Sequence, residues 1–199
     1  GQIMDYNLCD YNTVKKILSA HGFNFSKALG QNFIIDDSIC PAMAEMLGAD
    51  EKTGVLEVGP GVGVLTKELC KRAGKVVSVE LDERLYPVLE QTMADYDNFE
   101  LVKGDVMKID LHALIAEKFA DCDEVKICAN LPYYITSPVI MMLLQSKLPI
   151  TEIEVMVQQE AAERLCAPIG SREAGAVSVA VNYYGESEIL FNVGRECFM

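Results

Sequence analysis

Val55-Leu56-Glu57-Val58-Gly59-Pro60-Gly61-Val62-Gly63 decides how this chain folds. A short apolar strand runs into a loop with glycine at every second position, and a helix is predicted next, from about Leu65 to Arg72. Such glycines let a ligand approach the backbone closely and let the chain turn from strand into helix. A dinucleotide site would continue as Gly-x-Gly-x-x-Gly. From Gly59 the third place holds Val64 and from Gly61 it holds Thr66, so both registers fail. No phosphate-binding Gly-x-x-x-x-Gly-Lys-Ser/Thr stands anywhere, and the loop is followed by no lysine before Lys67.

Working outward, strand and helix alternate. Strands are predicted at Lys75–Glu80, Phe99–Val102, Glu124–Ala129 and Glu152–Val157, with helices at Leu85–Met93, Leu111–Phe119, Val139–Gln145 and Glu160–Cys166. Two further strands, Val177–Tyr184 and Ile189–Val193, have no helix between them. Upstream, Thr13–Ala20 reads as a short helix, Phe23–Phe33 as an ordered loop, and a helix capped by Asp37 or Ser38 runs to Leu47. The pattern predicts an α/β fold: a mainly parallel sheet with helices on both faces and an antiparallel edge hairpin. In such sheets ligands bind at the carboxyl ends of the strands.

Composition narrows the classes. The 199 residues are 50% hydrophobic and 24% charged, enough apolar material for a packed core. No apolar run reaches the roughly 20 residues that cross a bilayer, and Gly1-Gln2-Ile3-Met4-Asp5 lacks the basic-then-apolar pattern of a signal peptide. Seven cysteines with no Cys-x-x-Cys pair, and only two histidines, argue against structural zinc and for free thiols in a reducing cytoplasm. The net charge of −13 repels nucleic acid at long range. The excess is local, because Glu80–Glu124 alone carries −9 and leaves −4 for the rest.

Glu80 closes the second predicted strand. A carboxylate there can accept from both hydroxyls of a ribose, each charge-assisted bond being worth roughly 1.5–3 kcal/mol. Asp105 follows Gly104 at the third strand end, where it can accept from an adenine amino group. Alone, each is an ordinary strand-end or turn residue. Together with the glycine loop they describe a ligand with adenine and ribose but no phosphate. S-adenosylmethionine fits better than NAD or ATP, and its cationic sulfonium suits the acidic half of the chain.

Asn130-Leu131-Pro132-Tyr133 closes the fourth strand. A purine's exocyclic amine is a poor nucleophile, because its lone pair is delocalised into the ring. The Asn130 side-chain carbonyl and the Leu131 backbone carbonyl can accept both amino hydrogens, which favours a pyramidal nitrogen with its lone pair aimed at a methyl group. Pro132 stiffens the turn and the Tyr133 ring can stack on the base. The reaction expected is in-line methyl transfer driven by orientation and electrostatics, with no general base needed before attack.

These motifs resemble the ribosomal RNA adenine N6-dimethyltransferase family, from about Phe23 onward. The resemblance rests on Leu29-Gly30-Gln31-Asn32-Phe33, the Glu57–Gly63 loop, Val79-Glu80-Leu81-Asp82, Gly104-Asp105, Asn130-Leu131-Pro132-Tyr133 and Gln159-Glu160-Ala161-Ala162-Glu163-Arg164-Leu165. The first and last of these are specific to the group and its near relatives. The resemblance implies a Rossmann-like class I S-adenosylmethionine-dependent methyltransferase fold. It places cofactor contacts on Asn32, Ile34, Gly59, Glu80, Asp105 and Asn130, and the catalytic turn on Asn130, Leu131, Pro132 and Tyr133, with no metal site. It further implies dimethylation of two adjacent adenosines near the 3′ end of small-subunit ribosomal RNA, in ribosome biogenesis. The partner is that RNA or the maturing small subunit, and the enzyme is expected to be a cytoplasmic monomer. Residues 1–22 form an N-terminal helical extension on this reading and 23–199 the catalytic domain.

Two departures stand out. The family usually continues from the catalytic turn with Asn and then Ile-Ser/Thr, whereas this chain has Tyr134 before Ile135-Thr136-Ser137. The family also continues into a Phe-x-Pro-x-Pro segment and a small helical domain, whereas this chain stops at Cys197-Phe198-Met199. The expectation is a catalytic domain that binds S-adenosylmethionine but methylates ribosomal particles poorly. Lys15, Lys16, Lys27, Lys147, Arg164 and Arg172 lie outside the acidic stretch and are the candidate phosphate contacts, the Pro168–Arg172 loop first among them. The alternatives are a large-subunit adenine methyltransferase of the macrolide-resistance type, which usually carries Asn-Ile-Pro-Tyr, and a non-catalytic assembly or transcription factor on the same fold. A nicotinamide-dependent dehydrogenase fails on the missing third glycine.

Overall fold

A computed structural model of the chain describes residues 6–24, 38–131, 133–158, 179–184 and 188–193. The β-branched runs form a single sheet: β1 (Thr53–Val58), β2 (Lys75–Glu80), β3 (Phe99–Lys103), β4 (Glu124–Ala129), β5 (Glu152–Gln158), β6 (Val179–Tyr184) and β7 (Glu188–Val193). Their order across the sheet is β3-β2-β1-β4-β5-β7-β6. The first five are parallel, and β7 pairs antiparallel with both β5 and β6. The parallel sheet and the antiparallel edge pair are as expected from the sequence.

Helices cover both faces: α1 (Tyr11–Ala20), α2 (Ile39–Leu47), α3 (Val64–Cys70), α4 (Tyr86–Thr92), α5 (Leu111–Lys118) and α6 (Tyr133–Gln145). The period-two alternation of the strands sorts the core. Leu56, Val58, Val77, Val79, Ile127 and Ile153 pack with α5 and α6, while Val55, Val76, Cys128 and Met156 pack with α1 to α4. Helix α1 starts at Asp10, whose carboxylate accepts from the Thr13 N–H at 3.0 Å, and it buries Val14, Ile17 and Leu18 among the latter group. At the other end of this layer the buried Lys126 ammonium donates to the last-turn carbonyl of Leu47 and lies 3.3 Å from Glu152, tying α2 to β4 and β5.

One boundary differs from the reading of the sequence. The sequence reading begins the helix after β4 at Val139, yet α6 begins at Tyr133 and carries Pro138 inside it. Ile135 packs on the same core as Val139, Ile140 and Leu143, and that burial outweighs the hydrogen bond that proline removes. The predicted helix at 160–166 lies outside the described residues.

A polar row crosses the apolar interior. Ser78, Glu57, Cys128 and Glu154 are register partners on neighbouring strands, and none is more than 1% exposed. The Glu57 Oε1 accepts from Thr66 at 2.5 Å and from Ser78 at 2.7 Å. Its Oε2 and both oxygens of Glu154 have no hydrogen-bond partner among the described residues. Burial pushes Glu57 up to about 7 and Glu154 up to about 9. Above the ordinary carboxylate range the unfolded chain loses these protons while the folded chain keeps them. Stability therefore falls as pH rises, by about 1.4 kcal/mol per pH unit for each such proton. Glu57 contributes this slope up to about pH 7 and Glu154 up to about pH 9. We expect Glu154→Gln, which keeps the neutral shape, to flatten the decline in melting temperature between pH 7 and 9 and to change little at pH 5. A wild-type slope in the variant would show that Glu154 is ionised in the folded chain.

Candidate functional site

The chain runs β1, β2, β3 in one direction and then returns to place β4 on the other side of β1. That reversal opens a crevice at the carboxyl ends of β1 and β4. The strand-end residues predicted from the sequence are brought together there. The Gly59 N–H donates to the Val79 carbonyl at 3.1 Å, Gly104 to Glu80 at 3.0 Å, and Asn130 to Val58 at 3.4 Å. Asp105, Glu80, Gly59 and Asn130 thus follow the order β3-β2-β1-β4 along one end of the sheet, a row of roughly 14 Å at the usual strand spacing.

The glycine loop is left-handed at each glycine, with φ of +75° at Gly59, +60° at Gly61 and +100° at Gly63. Gly59 also permits a close approach. A Cβ there would lie 2.6 Å from the Leu131 Cδ2 and 3.3 Å from the Asn130 carbonyl oxygen. The loop after β1 and the turn after β4 are therefore in direct contact.

Glu80 is 8% exposed, and burial raises its pKa. The carboxylate is held by the Gly61 N–H at 3.3 Å on one oxygen and the Asp82 N–H at 3.0 Å on the other. Its backbone carbonyl accepts from the Tyr86 hydroxyl at 2.9 Å. Asp82 in turn caps the following turn of helix and grips the Arg84 guanidinium at 3.0 and 2.8 Å, and Arg84 lies 4.9 Å from the centre of the Phe23 ring. Those hydrogen bonds from Arg84 hold Asp82 below the usual carboxylate range. Asp105 is half-buried, and its Oδ1 accepts from the Met107 N–H at 2.9 Å.

Leu131 follows Asn130 in the turn after β4. Its carbonyl accepts from the Thr136 hydroxyl at 3.2 Å. Tyr133 is the first residue of α6; its side chain, and all of Asn32, Ile34 and Pro132, lie outside the described residues. The same holds for Lys27, Arg164 and Arg172. Lys147 follows α6 at the amino-terminal ends of the strands, about 20 Å along the helix from Asn130. The sequence reading also missed Leu81 and Met107, which stand 60% and 43% exposed beside Glu80 and Asp105. Among the described residues no group of His, Cys, Asp and Glu is placed to hold a metal ion, and no helix is long and apolar enough to cross a membrane.

The fold is a Rossmann-like α/β sheet with its crevice at this end. Solved structures share the architecture: a 23S rRNA methyltransferase, ErmE, aligns over 81% of this chain and 68% of its own with a TM-score of 0.65 at 24% identity. A dimethyladenosine transferase from Plasmodium falciparum aligns over 80% and 62% with a TM-score of 0.60 at 23% identity. Sequence goes further. The family model described as ribosomal RNA adenine dimethylase matches residues 22–199, and the chain belongs to that family. Proteins named ribosomal RNA small subunit methyltransferase A from Bacillus licheniformis and Geobacillus thermodenitrificans are each 48% identical over 185 residues, 93% of this chain. The chain spans 63% of their length.

The contact between the two loops is testable. Gly59→Ala places a Cβ against Leu131 and forces a left-handed alanine, a strain of about 1–2 kcal/mol before any displacement. Melting followed by circular dichroism should show a loss of about 2–8 °C, at the roughly 2–4 °C per kcal/mol of a chain this size. An unchanged melting temperature would mean that the two loops separate freely.

Proposed function

We propose that this chain binds S-adenosylmethionine and transfers methyl groups to N6 of two adjacent adenosines near the 3′ end of small-subunit ribosomal RNA, a step in ribosome assembly. The observation that carries the reading is the single row of Asp105, Glu80, Gly59 and Asn130, completed by Leu131 pressed against Gly59. The named relatives at 42–48% identity are small-subunit enzymes, so the large-subunit alternative is not favoured.

The residues present fit the cofactor. The row offers carboxylates and close backbone but no cation for a phosphate. Glu80 is fixed by two N–H groups and remains an acceptor for the ribose hydroxyls. Asp105 would take the adenine amino group, with the exposed Leu81 and Met107 as apolar walls for the ring. Asn32 and Ile34 complete the proposed set. When bound, S-adenosylmethionine supplies a methyl carbon whose bond to sulfur breaks, the electron pair leaving to sulfur, as a nitrogen lone pair bonds to it.

The chain's own contribution is positioning. Asn130 and the Leu131 carbonyl would hold the amino hydrogens of the target base, turning the nitrogen lone pair out of the ring plane. The added positive charge makes the remaining N–H acidic, and its proton leaves to water. Tyr133 would stack on the extruded base, returning roughly 1–3 kcal/mol against the few kcal/mol of unstacking. On this reading the enzyme acts in the cytoplasm, as a monomer.

Calorimetry with S-adenosylmethionine tests the cofactor half. Glu80→Ala should weaken binding by about 10- to 100-fold, the worth of roughly 1.5–3 kcal/mol of charge-assisted hydrogen bonding. Asn130→Ala should lower methyl transfer to small-subunit particles by roughly 100-fold or more. Wild-type affinity in the first variant would remove the ribose assignment, and wild-type transfer in the second would remove the catalytic one.

A further inference from the structure

The geometry points to Thr136 as a positioning residue that aims the Leu131 carbonyl at the amine of the target base. The inference rests on the reading of the site given above. Thr136 stands in the first turn of α6, is 1% exposed, and donates its hydroxyl to the Leu131 oxygen at 3.2 Å. Helical threonines usually bond back three or four residues along their own helix. The Thr136 hydroxyl also reaches back five, to a carbonyl that precedes α6 and so stands outside its ladder. Leu131 is thus held from two sides, its side chain against Gly59 and its carbonyl by Thr136.

The consequence is directional. A carbonyl oxygen has two acceptor lone pairs. With Thr136 on one, the other is left in a fixed direction for an amine hydrogen. An acceptor set before the substrate arrives needs no reorganisation during the reaction, which is where such groups act most strongly. Thr136 touches neither substrate nor cofactor on this account; it acts through Leu131.

Three measurements on wild type, Thr136→Val and Thr136→Ser test this. Valine keeps the shape and removes the donor, and serine restores the donor with less bulk. With carbonyl-13C leucine and 15N proline, one-bond coupling marks only the Leu131–Pro132 and Leu148–Pro149 pairs, the two Leu-Pro steps of the chain. In the cofactor-free protein Thr136→Val should shift the Leu131 carbonyl resonance upfield and leave that of Leu148 in place. Calorimetry should give S-adenosylmethionine affinity within about twofold of wild type, while kcat for methyl transfer falls about tenfold, as loss of one aimed hydrogen bond predicts. Thr136→Ser should recover both the resonance and the rate. An unshifted resonance, an unchanged kcat, or a serine variant as slow as valine would overturn the role. A wild type that binds no S-adenosylmethionine would sink the functional reading and this role with it, recognisably, because the carbonyl shift would persist without any activity.

Discussion

Gly59 has no side chain, and Leu131 occupies the space one would fill. These residues lie 72 positions apart in sequence, on strands that only the reversal of the sheet makes neighbours. Their contact makes one site out of two loops. The glycine loop is usually viewed from the ligand's side, as backbone that a nucleoside can approach. Here its other side is equally constrained, because any Cβ at Gly59 meets the turn that would hold the substrate. On the proposed function, cofactor position and amine position would be set by the same few atoms, which suits a reaction whose rate depends on alignment.

The Glu80 end of the crevice is governed by a different balance. Burial makes the Glu80 carboxylate costly to ionise, and hydrogen bonds from Asp82 and Gly61 work against that cost. The turn beyond it is held by Tyr86 on the Glu80 carbonyl and by Arg84 on Asp82. Rigid support around a partly desolvated acceptor is what discrimination between ribose hydroxyls and water requires, since an unpaired buried acceptor is penalised. At the opposite end Thr136 plays the corresponding part for Leu131.

Much of this was legible before any coordinates. Parallel strands buried on both faces read as apolar, β-branched runs, so β1, β2 and β4 were found close to their true limits, and the acceptors at their ends fell into one row because the topology allows no other arrangement. The failures have physical causes. Pro138 is a local breaker, but the helix that contains it is fixed by burial of Ile135, Val139 and Ile140, which local rules do not see. The sequence shows the charge of Lys147 but not its place, which the length of α6 sets at the far end of the sheet from Asn130. Leu81 and Met107 were missed because exposure of an apolar side chain is a property of the surface, not of the sequence around it.

Glu154 shows the limit most clearly. In Glu152-Ile153-Glu154-Val155 acidic and aliphatic residues alternate. The fold has no wet face there, since β5 lies inside a sheet covered on both sides, and Glu154 is fully buried in register with Cys128. Its carboxyl group stays protonated near neutral pH because ionisation would leave a charge in an apolar layer. The formal charge of −13 therefore overstates what a polyanion meets. Glu154 is neutral inside the protein, which removes one negative charge; the pairs of Glu100 with Lys75 and Lys118 and of Asp82 with Arg84 already cancel within the −13 and only set where the charge lies. Glu80 and Asp105, which belong to the most acidic stretch, line the β2 and β3 end of the crevice, where the proposed cationic cofactor would meet them. The Asn130 turn lies at the β4 end of the same row. On the proposed function the RNA base would enter there, and the strand-end carboxylates would face the cofactor rather than the polyanion.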